Sequence, residues 1–232
     1  MKPAHTLLLA SALFCLAADA PAPPAPTLDL ASLVPAPAAV GSDEVQAELA
    51  LVLQLQQSRT PEQIARAQDG NILSMASFAP VVGPWFTPER LPRTAAFLQK
   101  VDLLTNAANN ATKQLFTRPR PGDADPQHRV KPLFNETDPG YPSGHGARSA
   151  MYALLLANLL PDLKDPLTAR GQQLGFDRVI AGMHFPSDIT AGRALATNLF
   201  HTLLANPNFR ADLESVRAEL QTAQATTQPS KK

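Results

Sequence analysis

From Arg93 to about Phe116, the residues Phe97, Val101, Leu104, Ala108, Ala111 and Leu115 recur at helical spacing. A second stripe on the same helix is polar: Asp102, Asn106, Asn109 and Lys113. It reads either as a solvated face or as a lane leading to a polar site with Lys113 at its end. Further helical patterns run at about 144–160, 164–181, 186–205 and 207–223. Upstream, helix signals run from Ser42 or Asp43 to about Gln57. In "TPEQIARAQ", Thr60, Pro61 and Gln63 form a capping-box start. No alternating strand pattern of useful length and no internal repeat is present. The expected fold is all-α, a single-domain helical bundle, and 232 residues suit one domain with tails.

The two ends read differently. Lys2 followed by "TLLLASALFCLAA" and the small-x-small triplet Ala18 to Ala20 resembles a signal peptide over 1–20. The apolar run is too short to span a bilayer comfortably. Export to the periplasm or medium is the expectation. Cys15, the only cysteine, lies inside that segment, so a mature chain has no disulfide. Phe14 before it is too large for a lipid-attachment box. Residues 21–41 read as an extended Pro/Ala arm with little to pack, and 224–232 as a disordered tail. That leaves 42–223 as the folded domain. Zero formal net charge gives no argument for nucleic acid or an anionic membrane as partner.

The polar residues of interest sit at helix starts and beside a long loop. His184 and Asp188 lie four residues apart, with Pro186 suited to a first helical turn between them. Asp188 can fix the His184 tautomer and leave one lone pair free. The plainer alternative is a helix-start Asp and a packed His. Arg178 shares a helix face with Gly171, Gly175 and Gly182, glycines that admit a close neighbour. In "PSGH", Ser143 is the expected N-cap, and Gly144 and His145 enter the first turn. Free N–H groups there suit an anion. Lys113 and Arg120 flank the start of "RPRPGDADPQHRVKPLFNETDPG", a Pro-rich loop too long to be idle. Taken together, these residues describe a phosphate site. His5, His128 and His201 carry no such company.

"KQLFTRPRP", "PSGH" and "RVIAGMHFPSD" together resemble the three-part signature of the type 2 phosphatidic acid phosphatase superfamily, which includes vanadium haloperoxidases. The chain is most similar to the secreted class A nonspecific acid phosphatases. "LVPAPA", "FAPVVG" and "NPNFRADLESVRAEL" extend the likeness over most of the mature chain. The resemblance implies a metal-free, cofactor-free phosphatase acting on small phosphomonoesters. His184 is then the nucleophile, Asp188 its orienting partner and His145 the acid and base. Lys113, Arg120, Ser143, Gly144 and Arg178 hold the phosphate oxygens. Helix starts and the Pro-rich loop form the active site, and homo-oligomer formation follows only by analogy.

Two positions depart from the family pattern. Asp177 stands where a Ser is usual, and it either repels phosphate, redirects Arg178 or points away. Ala181 stands where many members carry a cysteine. The alternatives are a vanadate-dependent haloperoxidase-like enzyme and a non-catalytic oxyanion-binding protein decayed through Asp177. Specificity is expected to come from the loops at about 78–90 and 118–141.

Overall fold

A computed structural model describes residues 6–8 and 27–227. Most of the leader-like segment and residues 228–232 lie outside them. Thr6–Leu8 (β1) pairs antiparallel with Thr27–Asp29 (β2), a three-residue ladder remote from any sheet layer. The rest is helical: α1 Asp43–Ser58, α2 Pro61–Asp69, α3 Ala79–Val82, α4 Pro92–Lys113, α5 Pro121–Ala124, α6 Gly144–Leu159, α7 Lys164–Ile180, α8 Pro186–Ala205 and α9 Pro207–Thr227. The all-α bundle expectation holds.

Local chemistry explains the boundaries. Ser42 caps α1 by accepting from the Val45 N–H. Thr60 and Gln63 form the reciprocal capping box of α2. Helix α7 ends in a Schellman motif. The Met183 N–H donates to the Arg178 carbonyl and the Gly182 N–H to the Val179 carbonyl, with Gly182 at φ 73°. Gly182 therefore turns the chain out of the helix and does not share the face of Gly171 and Gly175. No side chain of its own caps α4. Glu219 of α9 does so from outside, accepting from the Arg93 and Thr94 N–H groups and the Thr94 hydroxyl at 2.6–3.0 Å.

Three expectations need correction. The segment before α1 is not free of packing: Leu30, Leu33 and Val34 are buried in the main core, and Asn198 donates to the Leu33 carbonyl. Its apolar "LDLASLV" run has a core to join. The Pro-rich loop contains one helical turn, α5. Helix α9 runs on to Thr227, four residues into the expected tail. The stretch 78–90 packs on the body through Phe78, Trp85 and Phe86 as expected, but it is not a loop throughout, since Ala79–Val82 form the short helix α3.

Helix α6 is central, packed between α7, α8 and α4. Glycines set how closely these helices approach. A Cβ on Gly171 would lie 2.7 Å from the Ala153 Cβ, and one on Gly192 would lie 2.5 Å from the Ser143 carbonyl oxygen. Helix α8 thus lies directly against the start of α6. The long loop is fixed by buried Asp125, which accepts from the Gln127, Arg129 and Val130 N–H groups and the Arg129 guanidinium. Burial alone would raise its pKa, but these donors win and hold it down to about 2.

Two outcomes follow. Gly192→Ala forces backbone apart at the start of α6; it costs roughly 1–3 kcal/mol by thermal denaturation and lowers turnover with it. Asp125 adds stability above the usual Asp range, near pH 4, and loses it as pH falls toward its depressed value. Asp125→Asn therefore lowers Tm at pH 5, and the gap from the parent narrows toward pH 2.

Candidate active site

The polar stripe of α4 leads into the protein. Asp102 pairs with Arg148 of α6 at 2.7 Å, and Asn109 and Lys113 are buried. A cavity of about 240 Å³ opens there, lined by Asn109, Lys113, Arg120, Gly144, His145 and His184. Five of the eight expected site residues thus face one space. Asp188 stands behind His184. Arg178 reaches the same region through Glu136 of the lining, its Nη2 donating to Glu136 Oε1 at 2.7 Å. Ser143 lies fully buried beneath the helix start, where its Oγ accepts from the Gly146 N–H at 3.1 Å. Its N-cap role is as expected.

His184 is fixed from both sides. Arg120 Nη1 lies 3.1 Å from Nε2. A guanidinium can only donate, so Nε2 carries a lone pair. Nδ1 then holds the proton and donates to Asp188 Oδ2 at 3.3 Å. Burial first, then Arg120, Lys113 and Arg178, push the His184 pKa well below its ordinary value. The ring is a neutral imidazole with its free electron pair toward the cations.

Asp188 is completely buried. Burial pushes its carboxyl up to about 7, against the pull of Arg118 and the Phe185 N–H. Every neighbour at hydrogen-bond distance is a donor: Arg118 Nη1 at 3.0 Å, the Phe185 N–H at 2.8 Å and His184. A protonated carboxyl would find no acceptor among them, so the carboxylate is the form this setting accommodates.

His145 is part-buried, and its Nε2 donates to the Asn71 carbonyl at 2.9 Å. Burial, then Arg178, holds its pKa down to about 3. Asn71 also accepts from Arg178 Nη1 at 2.9 Å through Oδ1. It thus ties His145 to Arg178 from the turn after α2.

Sequence reasoning missed several residues. Arg118 joins Asp188 to Glu48 and Ser187, donating at 2.7 Å and 2.6 Å, and stacks 4.4 Å over Phe185. Its signal was present: a second arginine two residues before Arg120. Asn71, Glu48, Glu136 and Asp138 had no local signal. Asp138 accepts from Lys113 at 2.6 Å and from Arg120 Nη2 at 2.7 Å. These bonds overcome burial and hold Asp138 down to about 2.

Asp177 points away from the site. It is buried and takes a forked pair of bonds from Arg66 of α2, Nη2 at 2.8 Å and Nε at 3.1 Å. It neither touches Arg178 nor faces the cavity, which removes the ground for a decayed site. Ala181 is buried against Ala67 and Met183. His128 and His201 are exposed and outside the cavity. Among the described residues no cluster of three His, Cys, Asp or Glu side chains could hold a metal ion, and no helix is long and apolar enough to cross a membrane.

Two substitutions check this geometry. Arg66→Ala strands a buried carboxylate; with Arg66 one-third exposed the cost is about 2 kcal/mol in denaturant unfolding, below the figure for a fully buried pair. Asp188→Asn puts an NH2 donor where one of two accepting oxygens stood, against Arg118 or against His184, so the His184 tautomer is no longer fixed. Turnover falls by roughly 10⁴, as loss of a tautomer-fixing carboxylate does elsewhere, while KM moves little.

The PAP2 superfamily pattern matches residues 101–211. A non-specific acid phosphatase of Salmonella typhi is 36% identical over 166 residues, 68% of this chain and 66% of that protein. Another from Providencia stuartii is 29% identical over 203 residues, 83% and 81% of the two chains. The matched part thus spans about two thirds of the Salmonella protein's length. Among solved structures, a transmembrane PAP2-type phosphatidylglycerolphosphate phosphatase from Bacillus subtilis shares the fold at a TM-score of 0.50 and 21% identity, covering 70% of this chain and 86% of its own. Kinship in sequence and fold agree: the chain belongs to the PAP2 superfamily, on the branch of the class A non-specific acid phosphatases.

Proposed function

We propose that this protein is a metal-independent acid phosphatase that hydrolyses small phosphomonoesters through a phosphohistidine. The observation that carries the reading is the His184 ring, locked by Asp188 with its Nε2 lone pair turned to Arg120.

In the first step Nε2 forms a bond to phosphorus as the bond to the leaving oxygen breaks. His145 gives its proton to that oxygen, releasing an alcohol. In the second, water attacks phosphorus, His145 takes a proton from it, and the N–P bond breaks to free phosphate and His184. Lys113, Arg120, Arg178 and the Gly144 N–H stabilise the equatorial oxygens. Ser143 holds the helix start that presents Gly144. The leader-like N-terminus supports export, so the working compartment is the periplasm or medium.

The pH dependence follows from the two histidines. His184 stays unprotonated as pH falls, so the nucleophile imposes no early acid limb. His145, held down to about 3 in the empty site, is a neutral imidazole well above that value, with its one proton on Nε2 and none to give from Nδ1. A monoanionic phosphomonoester brings the missing proton, and the bound phosphate's negative charge lets His145 hold it. The profile of kcat/KM therefore falls as pH rises through the substrate's own second ionisation, near pH 6 for alkyl phosphates. Two substrates with different second pKa values should show correspondingly displaced limbs. One common limb for both would assign it to the enzyme instead.

The direct test is p-nitrophenyl phosphate hydrolysis with EDTA present, beside His184→Ala. EDTA-resistant turnover, absent in the variant, and an acid-labile phosphoenzyme on rapid quenching are expected. Turnover retained by the variant would overturn the reading.

A further inference from the structure

Glu136 and Asp138 do something the proposed chemistry does not call for. Their carboxylates sit on the cations meant for phosphate. Asp138 accepts from Lys113 and Arg120, and Glu136 from Arg120 at 2.6 Å and Arg178 at 2.7 Å. Two negative charges thus face three positive ones, the same balance a phosphomonoester dianion gives.

Arg120 has no donor to spare. Its Nε serves the Asp138 carbonyl, Nη1 serves the Met183 carbonyl and His184 Nε2, and Nη2 serves both carboxylates. Yet the acids fit incompletely. Among the described residues, Arg178 Nε and both amide atoms of Asn109 are buried without a hydrogen-bond partner. A seat that leaves buried donors unmatched is made for something else.

The segment carrying the acids lines the cavity through both side chains. It has no helix or strand, and the two side chains are 30% and 51% exposed. Backbone hydrogen bonds pin it on either side, Leu133 N–H to the Ala181 carbonyl and Gly140 N–H to the Arg118 carbonyl, both at 2.9 Å. Between these pins Phe134 packs against the Ala67, Ala181 and Met183 cluster and under Arg178, and beyond it Glu136, Asp138 and Pro139 are held by Lys113, Arg120 and Arg178.

We propose that Glu136 and Asp138 set substrate affinity by competing for the phosphate cradle: they occupy it when empty and leave it when a phosphomonoester binds. The proposal rests on reading Lys113, Arg120 and Arg178 as the phosphate-holding cations. Apparent affinity is then the intrinsic affinity multiplied by the fraction of molecules with the turn displaced.

The experiment compares the full chain with Glu136→Gln, Asp138→Asn and the double variant, which keep side-chain volume. The Ki of inorganic phosphate and the KM of p-nitrophenyl phosphate are measured, with thermal melting to confirm folding. Both constants should fall together, by about ten-fold if the cradle is free a tenth of the time, and most in the double variant. Constants that stay the same or rise would overturn the proposal and make the two acids positioning residues that aim the arginines. Arg178→Ala is the separate control. An unchanged phosphate Ki there overturns the cation assignment beneath the proposal. A raised Ki there, with unchanged values in the acid variants, overturns the competition alone.

Discussion

Asp188 has no contact with water, and a carboxylate in that position is tolerable only when its charge is answered. Arg118 answers it, but Arg118 is itself buried and needs partners of its own. Glu48 on α1 and Ser187 on α8 supply them. Helix α1, which lies far from the cavity in sequence, is thereby part of the support of His184. The Asp188 backbone extends the arrangement: its carbonyl accepts from the Ser143 N–H at 3.0 Å and so sets the start of α6. One buried charge therefore fixes the tautomer of His184, the seat of α1 and the position of the Ser143–Gly144 turn. Removing Arg118 strips Asp188 of its cation, and removing either acid takes away one of the two carboxylates that answer Arg118, so the cost spreads through the group.

The sequence was most informative where structure is periodic. The apolar stripe of α4 marks the face that is buried, and its polar stripe leads to the cavity. Helix geometry also bears on Asp177. Positions 171, 175 and 178 fall on one face, and an adjacent residue lies about 100° away from Arg178. That spacing is what turns Asp177 toward Arg66. Gly182 was misplaced because the helix stops at Ile180, and face assignments fail past a terminus. The loop acids were illegible for a different reason. Glu136 meets Arg178 across 42 residues and Glu48 meets Ser187 across 139. The path of an irregular segment is set by where its ends are pinned, and no local pattern records that. Asn71 is the same case, a turn residue defined only by what the fold carries to it.

Acid conditions bear unevenly on these groups. Asp125 and Asp138 are held ionised by donors that surround them. The loop they belong to therefore keeps its anchors at pH values where free carboxylates begin to neutralise. Asp125 draws on Arg129 and on backbone N–H groups, whereas Asp138 draws on Lys113 and on Arg120, which it shares with Glu136.

The cap that Glu219 places on α4 carries a consequence for the order of assembly. Helix α4 delivers Lys113 to the cavity at one end and begins bare at the other, and the residue that closes its start lies 126 positions downstream of Arg93. A chain emerging from a ribosome or an export channel holds α4 uncapped until α9 has followed it out. The first turn of α4 is therefore closed only when α9 has docked beside it, which ties the chain's last helix to the one that carries Lys113.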